Sequence, residues 1–597
     1  MNGHDHHIPI DGKSLTLEKV LAVARQGTKV EIAKEAKKTL VRTSNDLKRS
    51  VKRTFAWLEK RSAREKKSKD YGLLLKQRMM YGTTTGFGDL KTITIKTPGP
   101  ARKLQTNIVL SHASGVGPSF DRKTTRAIML LRANTVASGY CGVSLEVVQQ
   151  LVNMLNHDIY PAIPEQGSVG ASGDLAPLAH LALGLIGRAP VKRGEEDDEV
   201  TFDDLGHLVK IHPELTDVNP SLELSYKEGL ALVNGITVMT GVGVLAYADA
   251  VNLVEWADVL GAVTLESILG SSRAFDEIVF TVYGHQGAKT SAKRVRDMIV
   301  GSGLINRSTD VHDAYSVRCI PQVHGAVRDA LDYVKTTIEN QLNSVDDDPI
   351  IFSEDEIDKL PPMDFLQPPK DSKGKDTDRV KWKERQHFEQ GNFHGEPIAF
   401  AMDLLAIVTA ELGSISERRT QMLLDAHHNR GLPACMVDNP AGENSGYMIA
   451  QYAAAALVSE NKGLCHPASV DSIPTSANAE DHVSMGTIGA RKARRVIDNV
   501  RNILAIELLC STEALSYRLK DQKVTDPNTK PKRKTKTKRA VEVTGECGMR
   551  TRLLYDNIRK GNNHLELLQG GDVILHKLID RARNEFLSRS PIEFVGE

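Results

Sequence analysis

The stretch from Gly229 to Gly270, GLALVNGITVMTGVGVLAYADAVNLVEWADVLGAVTLESILG, is the most apolar long region of the chain and the strongest constraint on its fold. A helix this apolar must be enclosed, by a bilayer or by other helices. Its purely apolar part, Gly235 to Ala248, is too short to span a bilayer, and Asp249, Asn252, Glu255 and Asp258 follow at once. The buried helix of a bundle is therefore expected. Comparable helical patterns recur at IAFAMDLLAIVTAELGSISERRTQMLL, YMIAQYAAAALVSENKGL and ARRVIDNVRNILAIELLCSTEAL. Strand-like alternation is scarce, so the expected fold class is mainly α: a long helical bundle with a smaller N-terminal domain of helices and loops.

The pattern suggests a flexible N-terminal tail over 1–15, an N-terminal domain over 16–226, the long-helix bundle over 227–520 and a C-terminal helical segment over 521–597. Two polar, lysine-rich segments, 367–389 and 526–539, read as surface loops. The second could serve as a nucleic-acid patch, but it lacks interleaved aromatic residues, and the formal net charge of the whole chain is only +1. No nucleic-acid or membrane partner is expected from that balance. Six cysteines without C-x-x-C spacing suggest reduced thiols and a cytoplasmic protein, and the N-terminus lacks the apolar core of a signal peptide. His4, His6 and His7 read as part of a solvated tail, and no metal is expected.

The sharpest local signal is GSVGASGDLAPLAH, Gly167 to His180. Gly170, Gly173 and their small neighbours permit a backbone reversal that a larger Cβ would forbid. Asp174 is placed to cap the helix that follows, and Pro177 falls in its first turn, where no intrahelical N–H is needed. Alone, the turn also suits an anion-binding helix start. It matches neither the phosphate-loop nor the nucleophile-elbow pattern.

Polar groups on segments otherwise written for burial suggest where such a turn is used: Tyr81, Ser111 and His112, Ala171-Ser172-Gly173, Asn234, Tyr315 and Arg318, Phe393 with His394 and Glu396, and Glu480 with Asp481 and His482. Singly, each has a structural reading, such as a loop tyrosine, a satisfied core histidine or an asparagine at a helix end. Together they favour a shared site, because burying so many polar groups without mutual pairing is costly.

The motifs YGTTTGFG, LSHASGVG, GSVGASGDLAPLAH, EGLALVNG, DAYSVRCIPQVHG, GNFHGEP, SERR, NSGYMIAQ and HPASVDSIPTSANAEDHVSMG occur in this order. The chain thereby resembles the aromatic amino acid ammonia-lyases, and within them the members acting on histidine, from roughly Leu17 to Leu515. The resemblance implies that Ala171, Ser172 and Gly173 cyclise to a 4-methylideneimidazol-5-one (MIO) group on the N-terminal domain. In that closure the Gly173 nitrogen attacks the Ala171 carbonyl and two waters leave, one of them taking the Ser172 hydroxyl. No external cofactor is implied.

By the same resemblance the reaction is loss of ammonia from an amino acid with removal of a β-proton. Tyr81, on a loop that closes over the substrate, is the implied base or proton relay. Arg318 grips the substrate carboxylate, Tyr315 and Asn234 hydrogen-bond around the MIO, and Phe393 packs against it. The family's assembly implies a homotetramer with sites built from three chains.

Ser111-His112 stands where phenylalanine- and tyrosine-acting members tend to have Phe-Leu or His-Leu, and Glu480 where they usually have glutamine. An imidazole offers N–H and lone-pair positions to His112 and Glu480, whereas a phenyl ring would leave a buried carboxylate unpaired. L-histidine is therefore the favoured substrate, with urocanate and ammonia as products. Ala479, His312, Glu443 and Ile236 depart from common family residues. A phenylalanine or tyrosine ammonia-lyase or an MIO aminomutase is the alternative; a non-catalytic helical scaffold or nucleic-acid-associated protein is the remote one.

Overall fold

The computed structural model describes residues 7–60, 78–194, 203–357, 387–437, 442–519, 545–561, 564–568 and 571–596. The basic segment 526–539 and most of 367–389 lie outside them. The chain is mainly α, with long helices and a few short strands, as the sequence suggests.

The chain forms two compact units, each drawn from separated segments. The first takes Met1–Leu245, Thr336–Met402 and Pro467–Arg491; the second takes Ala246–Lys335, Asp403–His466 and Lys492–Glu597. The boundaries cut the helices Thr237–Ser267, Ile320–Leu342, Glu396–Leu424 and Gly486–Arg518. The contiguous division expected at 226 and 520 therefore does not hold, because helices this long run from one unit into the other. Two of them, Thr237–Ser267 and Glu396–Leu424, have the length and composition of membrane spans, yet most of the apolar window in each is buried within the protein.

The first unit begins earlier than expected. Ile8–Ile10 pairs in parallel with Val30–Ile32, and Ile10 and Leu15 are buried. The backbone N–H of Gly12 donates to Asn134 Oδ1 at 2.9 Å. These contacts tie down residues 8–15 of the anticipated flexible tail. The helix Arg122–Ala137 is enclosed along its whole length, so its charged side chains need internal partners. Arg126 finds them in the Leu155 carbonyl, at 2.9 Å, and Asp158, at 2.8 Å. Short antiparallel pairings join Val116–Ser119 to Pro164–Gln166 and Ile159–Pro161 to Pro190–Arg193. They carry the chain to and from the small-residue turn.

The second unit encloses a polar network within its helices. Glu507 accepts from Arg419 Nε at 2.5 Å, Ser416 Oγ at 2.6 Å and Thr264 Oγ1 at 3.0 Å. Asp258 accepts from Arg328 at 2.6 Å and lies 2.7 Å from His324 Nδ1. Each buried charge is thereby paired, the condition under which such groups are tolerated. The last part of the chain belongs to this unit rather than to a separate segment: the Trp256 indole N–H donates to the Arg589 carbonyl at 2.8 Å.

Candidate active site

The turn at Ala171-Ser172-Gly173 is as compressed as its composition suggests. Gly170, Ser172 and Gly173 all have positive φ, at 76°, 50° and 82°. Gly170 and Gly173 face each other as an antiparallel bridge pair, and Gly173 also pairs with Gly235. A Cβ on Gly173 would lie 2.0 Å from the Gly235 oxygen, so no other residue fits without displacing that backbone. Ser172, a non-glycine residue in the left-handed region, is held there by the Gly235 N–H, which donates to its carbonyl at 3.1 Å.

Asp174 differs from expectation. Its side chain makes no cap on its own helix, Leu175–Leu185. The carboxylate instead accepts from the Val238 and Met239 N–H groups, at 3.0 and 2.9 Å, at the start of Thr237–Ser267. Its other oxygen accepts from Ser168 Oγ at 2.9 Å and from Thr487 Oγ1. Burial raises the Asp174 pKa to about 6 against these hydrogen bonds. One side chain thus ties the turn to two other helices of the unit.

Several predicted residues converge on this turn. Ser172 Oγ donates to Glu480 Oε1 at 3.2 Å, and Glu480 Oε2 accepts from Thr475 Oγ1 at 2.8 Å. Ser476, Ala477 and Asn478, which lead into Glu480, all adopt positive φ, a strained run of the kind found where a loop must aim one side chain. Ala171 packs with Val483 and Met485. Asn234 is buried, and its amide, oriented so that donors meet acceptors, donates to the Ser172 carbonyl at 2.9 Å and accepts from the Asp348 N–H at 2.6 Å.

Tyr81 lies on a turn whose partner loop, Gly88–Thr92, approaches Ser476–Asn478. The Gly88 N–H donates to Tyr81 Oη at 2.8 Å. Burial, with smaller contributions from the charges of Asp348 and Glu480, raises the Tyr81 pKa, so the phenol keeps its proton at neutral pH. His112 rests on Phe87, with ring centroids 5.1 Å apart, and its Nδ1 lies 3.1 Å from Ser111 Oγ. Ser111 spends its own proton on the Ile108 carbonyl at 3.2 Å. The remaining role for that hydroxyl is to accept from His112 Nδ1–H, which leaves Nε2 with the lone pair. Burial lowers the His112 pKa, so this imidazole is neutral. Ser111, itself exposed, acts here through the histidine beside it.

Phe393 is half-buried in the turn before Glu396–Leu424. Two residues on, a Cβ at Gly395 would meet Met239 Sδ and Ser484 Oγ, both at 2.6 Å, which brings this turn close to the one at Gly170. His394, Glu396 and His482 gather beside it. Tyr315 and Arg318 belong to the second unit, on the short helix Tyr315–Arg318. The Arg318 guanidinium lies over the Tyr315 ring, 4.7 Å from its centroid, and Tyr315 is 71% exposed. Arg318 Nε is buried without a hydrogen-bond partner, so part of its binding capacity is unspent.

The run Asp346-Asp347-Asp348 was not singled out from the sequence, where three acids before a proline resemble an ordinary turn. Asp347 pairs with Lys227 at 2.6 Å, and both side chains are fully buried. Asp346 accepts from the Ile236 N–H at 2.7 Å. Asp348 accepts from the Gln390 N–H at 2.9 Å, and burial raises its pKa to about 6. Its charge reaches Tyr81. Lys227, at the head of Glu228–Val233, has φ 69°, a feature with no signal in the sequence.

The turn fits the MIO group that the sequence implies. The bridge between Gly170 and Gly173 compresses the triplet, Gly173 has no room for a side chain, and Asn234 holds the Ser172 carbonyl. What the arrangement offers chemically is a constrained Ala-Ser-Gly turn with a carboxylate, a neutral imidazole and a phenol around it.

Comparison with known proteins agrees with this geometry. The aromatic amino acid lyase profile matches residues 60–542. A histidine ammonia-lyase of Caldanaerobacter subterraneus subsp. tengcongensis is 43% identical over 513 residues, spanning 86% of this chain and 88% of that protein. The crystal structure of histidine ammonia-lyase from Trypanosoma cruzi superposes with a TM-score of 0.75 at 32% identity, covering 99% of this chain and 95% of that one. Tyrosine aminomutase from Streptomyces globisporus also superposes at 0.75, with 30% identity and 99% of each chain covered. With its compressed Ala-Ser-Gly turn, its mainly α fold and relatives matched over most of their length, the chain belongs to the aromatic amino acid lyase family.

Proposed function

We propose that this chain is a histidine ammonia-lyase that converts L-histidine to trans-urocanate and ammonia. The observation that carries the substrate assignment is the carboxylate of Glu480 beside Ser172 in a site that also holds the neutral imidazole of His112. A substrate imidazole offers Glu480 a donor N–H and His112 Nε2 a second polar partner. A phenyl ring offers neither and would leave the carboxylate unpaired, a cost of roughly 1–3 kcal/mol or more for a charged group.

In this reading the MIO formed from Ala171, Ser172 and Gly173 supplies the electrophile that turns the amino group into a leaving group. Asn234 holds the Ser172 carbonyl in place, and the buried Lys227–Asp347 pair braces the adjoining acidic segment. Arg318 binds the substrate carboxylate with its planar fork. Tyr81 moves the β-proton. Because its phenol is held protonated, a relay suits it better than a standing phenolate. Phe393 closes the pocket wall.

A cytoplasmic homotetramer belongs to the same proposal. Ile449 and Tyr452, exposed three residues apart on the helix Met448–Leu464, give that helix an uncovered apolar stretch that supports the assembly. An MIO aminomutase is the second reading, favoured by the superposition with tyrosine aminomutase. Incubation with L-histidine and detection of urocanate absorbance tests the proposal. Cinnamate from phenylalanine with no urocanate from histidine would transfer the assignment, and a β-amino acid product would identify a mutase.

A further inference from the structure

The cluster at His394, Glu396 and His482 has no role in the chemistry above, although its residues closely follow Phe393 and Glu480 in the two segments that carry them. One ligand atom from each of the three residues lies within 4.8 Å of the others. His394 and His482 stack, with centroids 5.6 Å apart and planes 17° from parallel.

The hydrogen bonds fix the state of His394. Its Nε2 lies 3.2 Å from the His482 carbonyl, and a carbonyl only accepts, so Nε2 carries a proton and donates it. Its Nδ1 carries no proton and accepts the Glu396 backbone N–H across 3.3 Å, a long bond that a cation on the same lone pair would replace. That nitrogen is 3.9 Å from Glu396 Oε2. Glu396 Oε2 is shielded from solvent and has no hydrogen-bond donor. An anionic oxygen without a donor thus lies 3.9 Å from an imidazole nitrogen that carries no proton. The arrangement is unfavourable unless a positive charge occupies the gap. Histidine metal ligands characteristically donate their other N–H to a backbone carbonyl, as His394 does.

We propose that His394 Nδ1, Glu396 and His482 form a divalent-cation site of the borderline, zinc-like class, with two imidazoles, one carboxylate and a position left open to water. Two imidazoles with a carboxylate suit that class better than the all-oxygen cages of calcium or magnesium. Tetrahedral ligands about 2 Å from such an ion lie roughly 3.4 Å apart. The His482 ring, which is exposed, must therefore swing inward. The bound cation clamps the turn before Glu396–Leu424 to the loop after Glu480. Glu480 itself stays with Ser172 and Thr475. The site does not depend on the substrate assignment, since none of the three residues is among those proposed to choose the substrate.

The experiment uses the full-length protein, stripped with a chelator, with His4, His6 and His7 replaced by Ala to remove the competing N-terminal histidines. Zinc is titrated in against a chromophoric chelator, and X-ray absorption reads the ligands. The expected result is about one tightly held equivalent per chain with nitrogen and oxygen ligands, weakened roughly 10–100-fold or more in His482→Ala and in Glu396→Gln. Circular dichroism and the unfolding midpoint confirm that each variant is folded. Zinc bound equally well by the variants, or only thiolate ligands, would overturn the proposal. So would no tight binding, with His394 doubly protonated by nitrogen NMR, because an imidazolium would then supply the charge.

Discussion

Ser172 Oγ donates to Glu480 Oε1 across 3.2 Å, although 308 positions separate the two residues. The side chain proposed to become the electrophile and the carboxylate proposed to read the substrate ring are therefore direct neighbours. Replacing Glu480 by Gln keeps the shape and removes the charge. A drop in kcat/KM for L-histidine of about 5–150-fold is expected, corresponding to roughly 1–3 kcal/mol of a lost charged hydrogen bond. Discrimination against phenylalanine should narrow at the same time. Steady-state kinetics on both amino acids check this; an unchanged ratio would remove Glu480 from substrate selection.

Ser172→Ala should leave the fold intact, because the hydroxyl's partner Glu480 keeps its Thr475 bond. Turnover should nearly vanish. Intact mass of the wild-type chain should be lower than its sequence mass by two waters, and that deficit should be absent from the variant. A fully active Ser172→Ala protein would end the MIO reading.

Gly173→Ala tests the same turn sterically. The added methyl would sit 2.0 Å from the Gly235 oxygen at a φ of 82°, so the backbone of one strand must move. A stability loss of about 1–3 kcal/mol or more from strain and displacement is expected, together with the full, undehydrated mass. Denaturant unfolding and mass spectrometry read the two effects separately.

Asp348→Asn addresses the proton on Tyr81. The Asp348 charge helps raise the Tyr81 pKa, so its removal should lower that pKa and move the alkaline ionisation in the kcat/KM profile to lower pH. In the wild-type protein Asp348, with its pKa near about 6, takes up a proton on acidification and its influence on Tyr81 fades. A profile unmoved by the substitution would show that the two groups do not communicate.

Asp174 sets a pH dependence of stability. Its folded pKa of about 6 lies above the ordinary 3.8, so the folded state binds the proton more tightly than the unfolded chain. Stability is therefore greatest below pH 3.8 as far as this group is concerned, falls as pH rises from there to about 6, and is constant above, by up to about 3 kcal/mol. Asp174→Asn should flatten that slope between pH 3.8 and about 6. Asp174→Ala, which strands two N–H groups and two hydroxyls, should cost several kcal/mol at roughly 1–3 kcal/mol each. Urea midpoints across pH distinguish the three proteins.

Much of this was legible because it depends on local composition. The apolar run at Gly229–Gly270 marks a buried helix, and glycines at 170 and 173 mark a turn, whatever surrounds them. Residues that act through distant partners were not legible. Asp174 reads as the cap of its own helix, because nothing local reveals that Val238 and Met239 lie closer to its carboxylate. Lys227 reads as an ordinary charged residue until Asp347 is placed against it. The tail over 8–15 looked solvated because its strand partner, Val30–Ile32, is too short to announce itself. The interleaving of the two units is hidden for the same reason, since a helical period continues unchanged where a helix passes from one unit into the next.

The way the first unit is pieced together also sets a timetable. The Ala171-Ser172-Gly173 turn is synthesised long before Glu480, Ser484 and Thr487, which touch Ser172, crowd Gly170 and bind Asp174. In a nascent chain these contacts are therefore absent until Thr487 has been translated and has folded back. Chains truncated before that point are left without the contacts that complete the turn.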